Sequence, residues 1–300
     1  MGDQGVVQSN NLQPELRTRA PDSPLRKALR RFRRHRLAMA GLAIIVVLVI
    51  AALLGSEAAA LDQNLRAMNK PPSPDHFFGT DRIGRDILAR TLVGGRISLA
   101  VGLVAVMFST SIGIVLGAIA GFSGGWIDQL IMRVVDVVLS FPVIILLLCV
   151  ASLVGPSIFN VMAMIGLLTW PTPCRIMRGQ FLALRERAFV EAARCLGVTD
   201  FNISVRHILP NAIAPVLVYA SFAVATAVLL EAGLSYLGLG VQPPTPSWGN
   251  MLNTARNIST MERTSWQWIP PAIMTVLFVL AVNFVGDGIR DALDPQTQGD

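Results

Sequence analysis

Lysine is nearly absent from this sequence. Of its 25 Lys and Arg residues only Lys27 and Lys70 are lysines, and no Gly-x-x-x-x-Gly-Lys-Ser/Thr run occurs. A phosphate-cradling loop of that kind needs its lysine, so the chain is no nucleotide-driven motor by itself. Histidine is scarce too: His35, His76 and His207 are scattered over separate polar segments, and no metal or catalytic cluster follows from them. The three cysteines, Cys149, Cys174 and Cys195, include no Cys-x-x-Cys pair and none lies in a segment expected outside the cell, so neither a disulfide nor a zinc site is indicated. Charge of either sign is short. Only 15% of residues are charged, against about a quarter in soluble proteins, while 53% are hydrophobic and the mean hydropathy is +0.56. The composition is that of an integral membrane protein.

What is abundant is apolar sequence in runs long enough to cross about 30 Å of hydrocarbon as helix, roughly twenty residues each. Six are read, at Leu37 to Leu54, Ile97 to Ala120, Val134 to Val154, Ile158 to Cys174, Asn211 to Gly233 and Ile269 to Ile289. Arginine concentrates before the first (Arg17, Arg19, Arg26, Arg30, Arg31, Arg33, Arg34, Arg36, with Lys27) and between the fourth and fifth (Arg175, Arg178, Arg185, Arg187, Arg194, Arg206). The positive-inside rule places both clusters, and both termini, in the cytoplasm. A basic cluster abutting a membrane helix reads as an orientation signal or an anionic-lipid contact rather than a nucleic-acid site. The first run is too long, and its basic leader too extended, for a cleaved signal peptide.

This divides the chain into a basic arm (1–36), a first membrane helix (37–55), an external segment (56–96), a five-helix core (97–289) enclosing a cytoplasmic loop (175–210), and a short cytoplasmic tail (290–300). Residues before the basic cluster are expected to be disordered. From Arg82 to Leu92 apolar and charged residues segregate, which predicts an amphipathic helix on the outer membrane surface. Ser109, Gly113, Gly117 and Gly121 recur every fourth residue and line one face with almost no side chain, the pattern of a close helix contact, with a pore lining as the alternative. Arg133 and Asp136 are expected to pair at a membrane interface, Asn283 to bond a neighbouring helix, and Trp248, Trp266 and Trp268 to sit in an aromatic belt. Pro171 and Pro173 are expected to break the fourth helix near its inner end.

The 175–210 loop carries the strongest local signal. Glu186 to Leu196 is a helix-forming run, and Gly197 after it suits a left-handed C-cap. A second short helix is expected from about Asp200 to Leu209, capped by Thr199 or Asp200, with Pro210 starting a new direction. Phe189, Val190, Ala192, Ala193 and Leu196 give the first helix a compact apolar surface. From the residues alone, docking on a partner and resting on the membrane are both open.

Glu191-Ala192-Ala193, Gly197 and Ile208-Leu209-Pro210 resemble, in identity and spacing, the EAA loop of binding-protein-dependent ABC importer permeases. Phe78-Gly79-Thr80-Asp81 with Gly84-Arg85-Asp86, Arg178-Gly179-Gln180, Glu231 to Gly240 with Pro243-Pro244, Ser247-Trp248-Gly249, Gly286-Asp287 with Arg290-Asp291, and Leu293-Asp294-Pro295 are similar to the dipeptide/oligopeptide branch of the DppC/OppC type over roughly residues 75 to 295. Tyr236 stands where that branch often has Phe.

The resemblance implies an all-α integral membrane fold: six transmembrane helices, made of a type I importer permease core of the MetI kind and an extra N-terminal helix. It implies a non-catalytic subunit of an inner-membrane importer of di- or oligopeptides, paired with a DppB/OppB-type permease, two ABC ATPase subunits that hold ATP and Mg, and an extracytoplasmic peptide-binding protein. No cofactor is expected in this chain. Phe189, Glu191, Ala192, Ala193, Leu196, Gly197, Ile208, Leu209 and Pro210 would form the ATPase-coupling loop. Nickel or haem import by the same architecture is an alternative substrate reading. An ion-coupled secondary transporter is the rival class, for which inverted repeats, discontinuous helices or midplane acidic residues would be expected. The sequence displays none of these, Glu231 being read at the external end of its helix.

Overall fold

The computed structural model describes residues 24–293. The expected disorder before Pro24, and the Asp294-Pro295 end of the last motif, lie outside the described residues. Among the described residues the secondary structure is helical, with one isolated bridge between Thr80 and Asp86. The helices are α1 (Pro24–Arg34), α2 (Arg36–Leu54), α3 (Glu57–Leu61), α4 (Ile87–Ser123), α5 (Gly125–Leu139), α6 (Val143–Val154), α7 (Ile158–Thr169), α8 (Pro171–Leu184), α9 (Ala188–Cys195), α10 (Asp200–Tyr236), α11 (Trp248–Leu252), α12 (Ile258–Arg263) and α13 (Ile269–Leu293). Four of them, α2, α4, α10 and α13, are long and apolar enough to cross a membrane, and α5 with α6 makes a fifth span if the bent pair is counted as one.

The expected third and fourth spans are not single straight rods. α5 and α6 meet at 85° across Ser140-Phe141-Pro142, where proline removes a backbone donor and forbids a continuous ladder. The fourth divides at Trp170, and Pro171 occupies the first turn of α8, where its missing N–H costs nothing. The break at Pro171 is the one expected of the fourth span, while the bend between α5 and α6 was not legible in its apolar run.

The region read as a surface helix is instead the entrance to α4. Asp86 caps it, accepting Ala89 N–H at 2.8 Å, and His76 Nδ1 lies 2.8 Å from the other oxygen of Asp86. Asp81 folds the preceding turn by accepting the N–H groups of Ile83 (3.0 Å) and Arg85 (2.9 Å) and the Arg85 side chain (2.7 Å). Arg90, expected on a wet face, is buried and bonds the Ala60 carbonyl. Arg96 donates to the carbonyls of Ala52, Leu53 and Gly55, capping the C-terminus of α2. These partners let the helix keep its arginines inside the protein.

α4 is the central strut, packed against α2, α7, α8 and α10, while α13 packs on α2 and α10. Gly113, Gly117 and Gly121 lie against α8. A methyl group on Gly117 would sit 2.5 Å from the Cys174 carbonyl oxygen and 2.8 Å from Met177 Cβ. Asp136 pairs with Arg175 of α8 rather than with Arg133. Asn283 bonds the Val279 carbonyl of its own helix at 2.9 Å, not a neighbour. Trp248 is no belt residue: it is buried, donates from its indole to the Thr91 carbonyl at 2.9 Å, and has its ring 6.2 Å from that of Phe278.

Gly117→Val is expected to destabilise the chain by about 1–3 kcal/mol through overpacking against backbone, read as a lower melting temperature in detergent. Gly179→Ala, on the exposed face of α8 where an added methyl meets nothing, is expected to leave stability unchanged or raise it by about 0.5–1 kcal/mol.

Candidate functional site: the α9 loop

α8 ends at Leu184 and α9 begins at Ala188, so three residues join them. α9 stops in a two-bond cap. Gly197 N–H donates to the Arg194 carbonyl at 2.9 Å and Val198 N–H to the Ala193 carbonyl at 3.1 Å. This is the Schellman arrangement, which requires a left-handed residue, and Gly197 supplies it with φ +74°. A side chain at Gly197 would meet no neighbouring atom, so the turn demands glycine through backbone conformation and not through space.

The expected second helix starts at Asp200 but does not end at Pro210. Asp200–Asn202 is α-helical, Ile203–Ile208 is a π turn, and Leu209–Tyr236 continues as α-helix, so α10 runs for 37 residues. Pro210 follows the π turn directly and the helix runs on through it, so no new direction begins there.

The apolar surface expected on α9 is split in two. Val190 and Ala193 face inward and join Met177, Phe181, Ile203, Ile208, Ala212 and Val216 in one buried cluster, with Val198 and Leu209 packed at its edge. Phe189 and Leu196 face outward, Leu196 at 83% exposure, and Glu191, Ala192, Gly197 and Pro210 are exposed with them. Beside them stand Phe201, 74% exposed, and Val205, both missed in the sequence although their i, i+4 spacing on one helix face could have revealed them. A cavity of about 430 Å³ runs from Phe201 and Val205 to Ile114, Ile119 and Phe181.

The glycine face and the loop are not separate features. A methyl on Gly121 would lie 2.6 Å from Phe181 Cβ, and Phe181 belongs to the cluster that seats Val190 and Ala193. Ser109 lies on the same face, buried. α8 is clamped from its other side by Arg178, which meets both oxygens of Asp128 in α5 at 2.5 and 2.6 Å in a fork that a lysine would not reproduce. Arg185 donates to the Gly121 carbonyl at 3.3 Å, closing the end of α4. The Arg178–Asp128 pair could not be assigned from spacing, since 50 residues separate the two.

A loop so seated, with a rigid inner face and an apolar outer one, can receive a partner. The family model for the binding-protein-dependent transport system inner membrane component matches residues 113–299. The chain belongs to this family. It is a transport component and a multi-pass membrane protein. Residues 23–72 match a second model, the N-terminal TM domain of oligopeptide transport permease C. A peptide permease protein of Brucella suis is 47% identical over 282 residues, 93% of each chain, and the glutathione transport system permease protein GsiD of Escherichia coli is 40% identical over 293 residues, 96% of each. In structure, a chain of the inward-facing MetNI methionine ABC transporter superimposes with a TM-score of 0.53 at 20% identity, over 68% of this chain and 97% of that one, which places the permease in the MetI-like fold.

Gly197→Ala is expected to cost roughly 1–2 kcal/mol of local stability by forcing a side chain into the left-handed region. Faster hydrogen exchange at the Val198 amide would report it, while Gly197→Asn, a residue more tolerant of that region, should exchange closer to wild type.

Proposed function

We propose that this chain is one of two membrane subunits of an ATP-driven importer of di- or oligopeptides in the bacterial inner membrane. The α9 turn docks on an ATPase subunit that holds ATP and Mg, and an extracytoplasmic binding protein delivers the peptide to a path shared with a DppB/OppB-type partner. The observation that carries the docking role is the outward set Phe189, Leu196 and Phe201 around exposed Glu191, on a turn whose inner face is fixed in the core. Apolar side chains that protrude beside charged ones on a rigid element suit a protein partner better than bulk water.

Orientation follows from charge. Arg33, Arg34 and Arg36 and the arginines of the α8–α10 loop belong on the cytoplasmic side, with both termini and the ATPases. The peptide substrate rests on the names of the Brucella suis and Escherichia coli relatives, together with the oligopeptide permease match at the N-terminal end. In the cycle, ATP-driven approach of the two ATPases displaces α9, the Val190–Ala193 face moves α8 and α10 with it, and the bundle exchanges inward for outward access.

Leu196→Asp tests the docking. The buried cluster does not include Leu196, so the subunit should fold and insert normally, while its recovery with the ATPase should fall by about tenfold or more, the scale of a central interface residue. Undiminished co-purification and ATP hydrolysis would sink the assignment. Mass spectrometry of the small molecules carried by the associated binding protein tests the substrate, with short peptides expected and a nickel chelate or haem overturning that part alone.

A further inference from the structure

α10 begins beside α9 at Asp200 and ends at Tyr236, a helix of 37 residues or about 55 Å. Near its far end Glu231 is fully buried. Its carboxyl group accepts three hydroxyls, from Ser98 of α4 at 3.1 Å, Ser235 of α10 at 2.7 Å and Ser247 at 2.9 Å. Each of those hydroxyls in turn accepts one backbone N–H: Ser98 from Trp248 (3.1 Å), Ser235 from Val241 (3.0 Å) and Ser247 from Asn250 (3.1 Å). One carboxyl group thus governs, through three serines, the positions of three amides in the Val241–Asn250 segment. The packing leaves no slack: a methyl on Gly249 would come within 3.0 Å of Glu231 Oε1 and 2.7 Å of Ala232 Cα.

Nothing in the docking function explains a buried carboxyl group at this place. Helix ends can be stapled to loops by apolar contacts, and a buried polar hub is costly unless every member is satisfied, as these are. Hydrogen bonds are directional, so such a hub makes the segment follow a displacement of its helix where apolar packing would allow slip. Ser98 anchors the same carboxyl group to α4, and Trp248 ties the segment to α4 again through the Thr91 carbonyl at 2.9 Å.

The geometry points to Glu231 as the positioning residue that transmits movement of the α9 end to the Val241–Asn250 segment at the opposite end of the molecule. α10 is the rod, the Ile203–Ile208 cluster is where it takes the push, and the carboxyl group with its three serines is the joint at which it acts on the segment. This inference rests on the ATPase-docking reading of α9.

The test is hydrogen exchange on the full complex, with its partner permease and ATPases in nanodiscs, comparing the nucleotide-free state with the ATP–vanadate-trapped one. In wild type, amides in Ala188–Gly197 and in Val241–Asn250 should both change between states, the latter by about tenfold, the scale of one hydrogen bond gained or lost. In Glu231→Gln, which keeps size but exchanges one acceptor oxygen for a donor, the Ala188–Gly197 response should persist while the two-state ratio at Val241, Trp248 and Asn250 falls to within about twofold. A purely structural role would accelerate exchange equally in both states and leave that ratio intact, which would overturn the proposal. A wild-type response confined to Ala188–Gly197 would overturn it too. If Glu231→Gln does not assemble, Ser247→Ala, which cuts a single link, is read in the same way at Asn250. In a double variant the two effects should not add, because both act through one joint. Absence of any nucleotide response at Ala188–Gly197 in wild type would instead bring down the docking reading, and this inference with it.

Discussion

The architecture depends on how closely α8 can approach α4. Gly113, Gly117 and Gly121 present backbone to Pro173, Cys174, Met177 and Phe181, and no side chain larger than hydrogen fits between. In a bilayer, where lipid is as apolar as leucine, contact of this kind is a main source of helix association, because many dispersion contacts form at once and Cα–H groups reach carbonyl oxygens. Fixing α8 there has two consequences. Arg178 is presented to Asp128 and Arg175 to Asp136, which holds α5 against the pair, and Phe181 becomes the ceiling under which α9 is seated. A small-residue face deep in the bundle therefore determines where an exposed loop stands.

The same logic separates two kinds of residue within the family motif. Val190 and Ala193 hold the loop to the bundle, Gly197 gives it its bend, and Phe189, Glu191 and Leu196 are left exposed. The motif is thus part buried and part exposed, and substitutions in its two halves should act for different physical reasons. Inward ones disturb packing; outward ones leave it intact.

Much of this was legible in the sequence because it is local. A helix-forming run followed by glycine announces the α9 cap, a proline at the start of α8 announces a first turn, and small residues four apart announce a close contact. What was not legible depends on partners distant along the chain. Arg85 and Arg90 read as a wet helix face, since hydropathy cannot register that Asp81 and the Ala60 carbonyl await them. Trp248 read as an interfacial anchor because its indole acceptor, the Thr91 carbonyl, lies 157 residues earlier. Glu231 read as a peripheral acid for the same reason: two of its three hydroxyl donors lie 133 and 16 residues away. Buried polar groups are satisfied by tertiary structure, and a single sequence carries little trace of it.

The π turn at Ile203–Ile208 resolves a conflict that an unbroken α-helix would impose. Ile203 and Ile208 are five residues apart, and in an α-helix at 3.6 residues per turn they would point well away from one another. Hydrogen bonding from i to i+5 widens the turn and brings residues five apart toward the same side, so both isoleucines enter the cluster under Val190 and Ala193. Phe201 and Val205 are left exposed, lining the cavity against Ile114 and Ile119 of α4. The helix continues through Pro210 without a break, so what is gained is two inward anchors and two outward contacts on one rod. A straight α-helical version would have to release either Ile203 or Ile208 from the core, and the helix would then be held to the α9 loop at one point rather than two.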